Sequence, residues 1–168
     1  MDKTNVVLVG FACSGKSTVG KLLAVKLHKN FVDVDEQIRL TYPEAWNRFC
    51  TCGDEAAFRA AECDTVAHLS CCNNAVISCG GGTPLSDNFA ALADNSVVVW
   101  LDVLPQTVRK RLGNEPRPLF DNLNDTELAD FVAARKPVYR KFVDVTLSAD
   151  NLSPDSLADK IVELLQKK

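Results

Sequence analysis

The chain has 168 residues, of which 46% are hydrophobic and 24% charged, with a net charge of −3. That length and balance predict one compact domain with a substantial core and exclude a disordered or low-complexity chain. The basic residues are scattered, which argues against nucleic acid as the main partner, and no apolar run nears the roughly 20 residues that span a bilayer. The apolar stretch ahead of Gly10 is too short for a secretory signal, so the expected location is the cytoplasm. Seven cysteines and two histidines include no Cys-x-x-Cys and no zinc-like spacing, and they read as reduced, partly buried thiols.

The elements alternate. Val6–Val9 is an unbroken apolar run, as expected of a strand buried on both faces. Behind it, Val19, Leu22, Leu23 and Leu27 recur at helical spacing. "NFVDVD" is a short β-type run with carboxylates at its end, and residues 54–72 favour helix. "AVISC" and "SVVVWLD" are buried-strand candidates, and "DVTL" is a shorter fifth. The segment 112–124, rich in Pro, Gly, Asn and charge, breaks the pattern as a mobile surface loop would. The last helix starts on Ser153 as N-cap, Pro154 at its first position and Asp155 in its first turn. Strands alternating with helices imply an α/β fold with a mainly parallel sheet covered on both sides.

Between the first strand and helix, "GFACSGKSTVG" contains Gly10, Gly15, Lys16 and Ser17 at the spacing G-x-x-x-x-G-K-[ST]. Glycines let the backbone curl around an anion, and the free N–H groups of the next helix's first turn point at phosphate oxygens. Lys16 is placed for β- and γ-phosphates and the Ser17 hydroxyl for Mg²⁺. Together with Cys13, Ser14 and Thr18, these residues predict a nucleoside triphosphate site. A glycine-rich turn with a chance lysine is the ordinary alternative, and the flanking strand and helix argue against it.

Other residues suggest an acceptor opposite that cradle. Asp33 and Asp35 alternate along a predicted strand end, so both should face one side. One carboxylate could support Mg²⁺ while the other accepts a proton from an attacking hydroxyl. Arg59 and Glu62, three apart on a predicted helix, could pair as a surface ion pair or hold the arginine for a substrate carboxylate. Gly80, Gly81 and Gly82 follow a strand end, where close approach of a ligand explains them better than packing does. Arg117 sits between two prolines in the irregular loop, as a lid arginine over the phosphates would. Physical reasoning alone leaves Arg135, Lys136, Arg140 and Lys141 as equal candidates for a substrate ligand.

These residues carry a resemblance. "GFACSGKSTVGKLLA", "FVDVD", "FRAAE", "SCGGGTPL", "VVVWLDV", "RPLF" and "ARKPVY" occur in the order and spacing of the shikimate kinases, from about Asn5 to Leu165. The resemblance implies a single P-loop domain over 1–168 with five parallel strands in the order 2-3-1-4-5, helices on both faces and a lid at about 112–124. It implies a monomer that transfers the γ-phosphoryl group of MgATP to the 3-hydroxyl of shikimate, in aromatic amino acid and chorismate biosynthesis. By the same resemblance Asp35 binds the acceptor hydroxyl and is the base, Asp33 supports Mg²⁺, and Arg59 and Arg135 grip the carboxylate. Gly80–Gly82 line the pocket, Arg117 reaches the transferring phosphate, and Arg111 or Lys110 stacks with Pro154 around adenine.

Two positions depart from the family pattern: Cys13 replaces a cradle glycine, and Asp54 stands where a glycine is usual, with Gly53 displaced by one. Cys13 puts a thiol beside the nucleotide and could confer oxidation sensitivity. A kinase for another small hydroxylated acid such as gluconate, a nucleoside monophosphate kinase and an inactive nucleotide-binding homologue are the alternatives. The set Lys16, Asp35, Arg59, Arg117 and Arg135 is intact, which disfavours the last.

Overall fold

In a computed structural model that describes residues 3–112, 120 and 122–167, strand β1 (Asn5–Val9) is buried along its whole length. Its side chains alternate between two cores. Val6 and Leu8 join Val19, Leu23, Leu157 and Ile161 on one face, while Val7 and Val9 join Phe58, Val66, Phe89 and Trp100 on the other. The unbroken apolar run is therefore the signature of a central strand covered on both sides.

Around it run β2 (Asn30–Asp33), β3 (Ala75–Ser78), β4 (Ser96–Asp102) and β5 (Val145–Ser148), in the order β2-β3-β1-β4-β5. All four pairings are parallel. Helices α1 (Lys16–Leu27), α2 (Val34–Thr41), α3 (Pro43–Cys52), α4 (Glu55–Ser70), α5 (Phe89–Asp94), α6 (Pro105–Arg111), α7 (Asp125–Arg140) and α8 (Pro154–Gln166) make the connections and the covering layers. The predicted fold class and strand order are those observed.

Local chemistry fixes the helix ends. Ser153 accepts from the Ser156 N–H, with Pro154 in the first turn of α8 as expected. Asn124 and Glu127 close a reciprocal capping box on α7. Gly53, at φ 68°, ends α3, and Asp54 then caps α4 by accepting from Ala57 N–H. The Gly53-Asp54 departure thus reads as a helix stop followed by a helix start.

One expectation is corrected. "NFVDVD" is not a strand to its end, because β2 stops at Asp33, whose carboxylate caps α2 by accepting from the backbone of Asp35 and Glu36. Asp33 and Asp35 therefore share a site as cap and first-turn residue, not as alternating strand residues.

Helix α7 bears on function most directly. Leu128 and Val132 belong to one core and Tyr139 to the other, so the helix packs against both, its earlier turns on one and its last turn on the other. Among the described residues no helix is long and apolar enough to cross a membrane. Arg117 and most of the proposed lid, 113–119 and 121, lie outside the described residues.

Candidate active site

The cradle's backbone takes left-handed φ at Gly10 (145°), Cys13 (60°) and Gly15 (93°). A side chain at Gly10 would sit 2.5 Å from the Leu101 carbonyl oxygen, so the glycine is required twice over. Inside this curl the Lys16 ammonium donates to the carbonyls of Gly10 (2.9 Å) and Phe11 (2.8 Å) and to Ser14 Oγ (3.3 Å). Burial pulls its pKa below the usual lysine value, opposed by the nearby carboxylates of Asp35 and Asp33. Ser17 and Thr18 are exposed at the first turn of α1. Ser17 Oγ donates to Asp33 Oδ2 at 2.6 Å and lies 3.2 Å from Ser78 Oγ. These are hard oxygen donors beside a phosphate cradle, a donor set that suits Mg²⁺.

Each glycine of the triplet has its own partner. A methyl group built on Gly80 would lie 2.6 Å from Asp35 Oδ1, and one on Gly82 would lie 2.7 Å from an Arg59 guanidinium nitrogen. Between them, the corresponding point on Gly81 is 3.5 Å from the Ala12 N–H nitrogen of the cradle. Three successive residues thus wall the space shared by the phosphate loop, a carboxylate and a guanidinium. The Arg59–Glu62 pairing is present at 2.7 Å, and Glu62 is 1% exposed. Its other oxygen accepts from Thr83 Oγ1 at 2.7 Å, so the arginine is anchored through a buried carboxylate to the turn after the glycines.

The structure separates the four basic residues at the end of α7, three on the helix and Lys141 at its C-cap. Lys136 pairs with Asp102 (3.1 Å), Arg140 lies over the Trp100 ring and Lys141 over the Phe142 ring. Arg135 lies over the Phe131 ring, and its Nη1 is buried with no hydrogen-bond partner among the described residues. A buried guanidinium N–H without an acceptor points to a ligand group.

On the nucleotide side, Arg111 donates to the carbonyls of Cys13 (3.2 Å) and Ala149 (2.8 Å), whereas Lys110 is exposed. Arg111 is thus the member of that pair that touches the cradle. Pro154 opens α8. Cys79, directly before the glycines, is buried, and burial pushes its thiol pKa far up, so it behaves as a small apolar residue. Ser78, Thr83 and Tyr139, whose hydroxyl donates to the Gly81 carbonyl at 2.7 Å, were not legible in the sequence. Their partners lie 61, 21 and 58 residues away.

Comparison with known proteins identifies the family. A family model described as shikimate kinase matches residues 12–166. The shikimate kinase of Moorella thermoacetica is 37% identical over 96% of this chain and 94% of its own length. That of Limosilactobacillus fermentum is 33% identical over 96% and 95%. The structure of the Acinetobacter baumannii shikimate kinase in complex with shikimate superposes with a TM-score of 0.89 at 29% identity, covering 98% of this chain and 93% of that one.

Proposed function

The chain belongs to the shikimate kinase family, and on that premise we propose which of its residues carry the transfer of the γ-phosphoryl group of ATP to the 3-hydroxyl of shikimate. Asp35 binds that hydroxyl and takes its proton as the oxygen attacks. Arg59 and Arg135 hold the acceptor carboxylate, and Gly80, Gly81 and Gly82 allow it close to the backbone. Lys16 exchanges its present carbonyl and hydroxyl partners for phosphate oxygens, compensating charge that grows toward the transition state. The N–H groups from Cys13 to Thr18 cradle the phosphates, and Arg111 and Pro154 flank the base. Arg117 reaches over the transferring group from the lid. Ser17 and Asp33 would hold Mg²⁺, which when bound supplies further neutralisation of phosphate charge. The protein works, on this reading, as a cytoplasmic monomer with its seven cysteines as thiols.

The observation that carries the reading is the glycine triplet. It meets Asp35, the phosphate cradle and Arg59 with three consecutive residues, which supports a reading in which the acceptor hydroxyl lies beside the donor phosphate. The test is ADP release with MgATP against shikimate, quinate, gluconate and a nucleoside monophosphate, for wild type and Asp35→Asn. Activity confined to shikimate and lost in the variant is expected. ATP binding with no turnover on shikimate would overturn the substrate, and full activity of the variant would overturn the base.

A further inference from the structure

Tyr139 takes no part in the assignment above, yet it joins the two halves of the acceptor pocket. Its side chain is buried, at 2% exposure, with its ring 5.7 Å from that of Trp100. Its hydroxyl donates to the carbonyl of Gly81, the residue between the glycine facing Asp35 and the glycine facing Arg59. Tyr139 stands four residues after Arg135 on α7, so the two side chains project from the same face of the helix.

Next to Arg135, Lys136 ties the helix to β4 through Asp102, but the helix's own ladder is interrupted. Pro137 lies inside α7 and has no N–H to give to the Ala133 carbonyl, so one rung is missing beside Arg135. Arg135 itself is placed by a ring contact with Phe131, while its buried Nη1 has no partner among the described residues. The position of its guanidinium therefore follows the position of the helix. The bond from Tyr139 to Gly81 ties that helix directly to the pocket wall.

We propose that Tyr139 is a positioning residue for the acceptor: its hydroxyl holds α7, and with it Arg135, at the separation from Gly80–Gly82 that a substrate carboxylate spans. The proposal rests on the reading that Arg135 grips that carboxylate. Tyr139 touches no reacting atom; it acts through Arg135 and the Gly81 carbonyl.

Tyr139→Phe keeps the ring and removes the bond. Its KM for shikimate should rise roughly 3- to 10-fold with the ATP KM nearly unchanged, the pattern of lost acceptor binding. Its preference for shikimate over the methyl ester of shikimate, measured by binding, should fall by a similar factor. An unchanged acceptor KM, equal rises in both KM values, or an unchanged preference for shikimate over its ester overturns the proposal. Arg135→Ala, run alongside, separates the two ideas. If it loses the preference while Tyr139→Phe keeps it, the carboxylate reading stands and the role of Tyr139 falls. If Arg135→Ala keeps the preference, both fall.

A second measurement leaves the bond in place. The chain has two tyrosines, so 3-fluorotyrosine incorporated into a Tyr42→Phe background reports on position 139 alone. Its ¹⁹F resonance should move on saturation with shikimate and not with the methyl ester. No movement, or equal movement with both, overturns the proposal.

Discussion

Gly80 and Asp35 are fitted to each other: a single methyl group on the glycine would sit 2.6 Å from the carboxylate oxygen Oδ1 and 3.1 Å from Thr83 Oγ1. The same holds two residues on, where Gly82 meets the Arg59 guanidinium. In both cases the obstructed atom ends a movable side chain, so a methyl should displace it without disrupting the fold. Gly80→Ala should therefore lower kcat about 100-fold, since misplacing a reacting group by about 1 Å costs that much. Gly82→Ala should instead raise the shikimate KM about tenfold, through a weakened charge-assisted hydrogen bond. Steady-state kinetics beside thermal melts check both. A kcat effect at Gly82 and a KM effect at Gly80 would reverse the assignment of the two side chains.

Arg111 bonds the cradle's Cys13 carbonyl and Lys110 faces solvent. Replacing Arg111 by Ala should raise the ATP KM about tenfold, the scale of a lost charged hydrogen bond, while Lys110→Ala should change it by less than about twofold. Equal effects of the two substitutions would show that the base is not held on the Arg111 side.

Burial lowers the Lys16 pKa from 10.5, so the folded chain binds that proton more weakly than the unfolded chain. Folding stability then rises with pH between the lowered folded value and 10.5, and the full penalty is present below that folded value. Lys16→Met should remove this dependence and raise the melting temperature at pH 7 while abolishing turnover. A lower melting temperature in the variant would mean that its three hydrogen bonds outweigh the desolvation of its charge.

Cys13 holds φ 60° with a side chain attached, a conformation that costs an L-residue about 1 kcal/mol or more. Cys13→Gly relieves that strain but loosens the unfolded chain by about 0.5–1 kcal/mol. A small net gain, about 0.5 kcal/mol, is expected from denaturant unfolding. A loss of about 1 kcal/mol or more would show the thiol to be a packing element. Iodoacetamide should raise the ATP KM of the wild type and not that of Cys13→Gly. Equal responses would place the sensitive thiol elsewhere.

The phosphate cradle was legible because its chemistry is local: Gly10 and Gly15 curl the backbone of one short turn, and Lys16 bonds its carbonyls. Capping at Ser153 and the buried run of β1 were legible for the same reason. The end of β2 was misread because Asp33 also suits an N-cap, and its own hydrogen bonds to Asp35 and Glu36 settled the matter. Family resemblance supplied roles for Asp35, Arg59 and Arg135 that spacing alone left open.

By itself the sequence determined the alternation of strands and helices, the loop that cradles an anion, and the need for close approach at Gly80–Gly82. The tertiary structure decided which residue each of those glycines faces, and that Arg135 differs from Lys136, Arg140 and Lys141 in having a buried N–H without an acceptor among the described residues. The physical reason is range. Backbone curl, capping and hydrophobic period are set by neighbours within a turn, whereas desolvation and partner choice depend on atoms that folding brings together, as the bond from Tyr139 to Gly81 does across 58 residues.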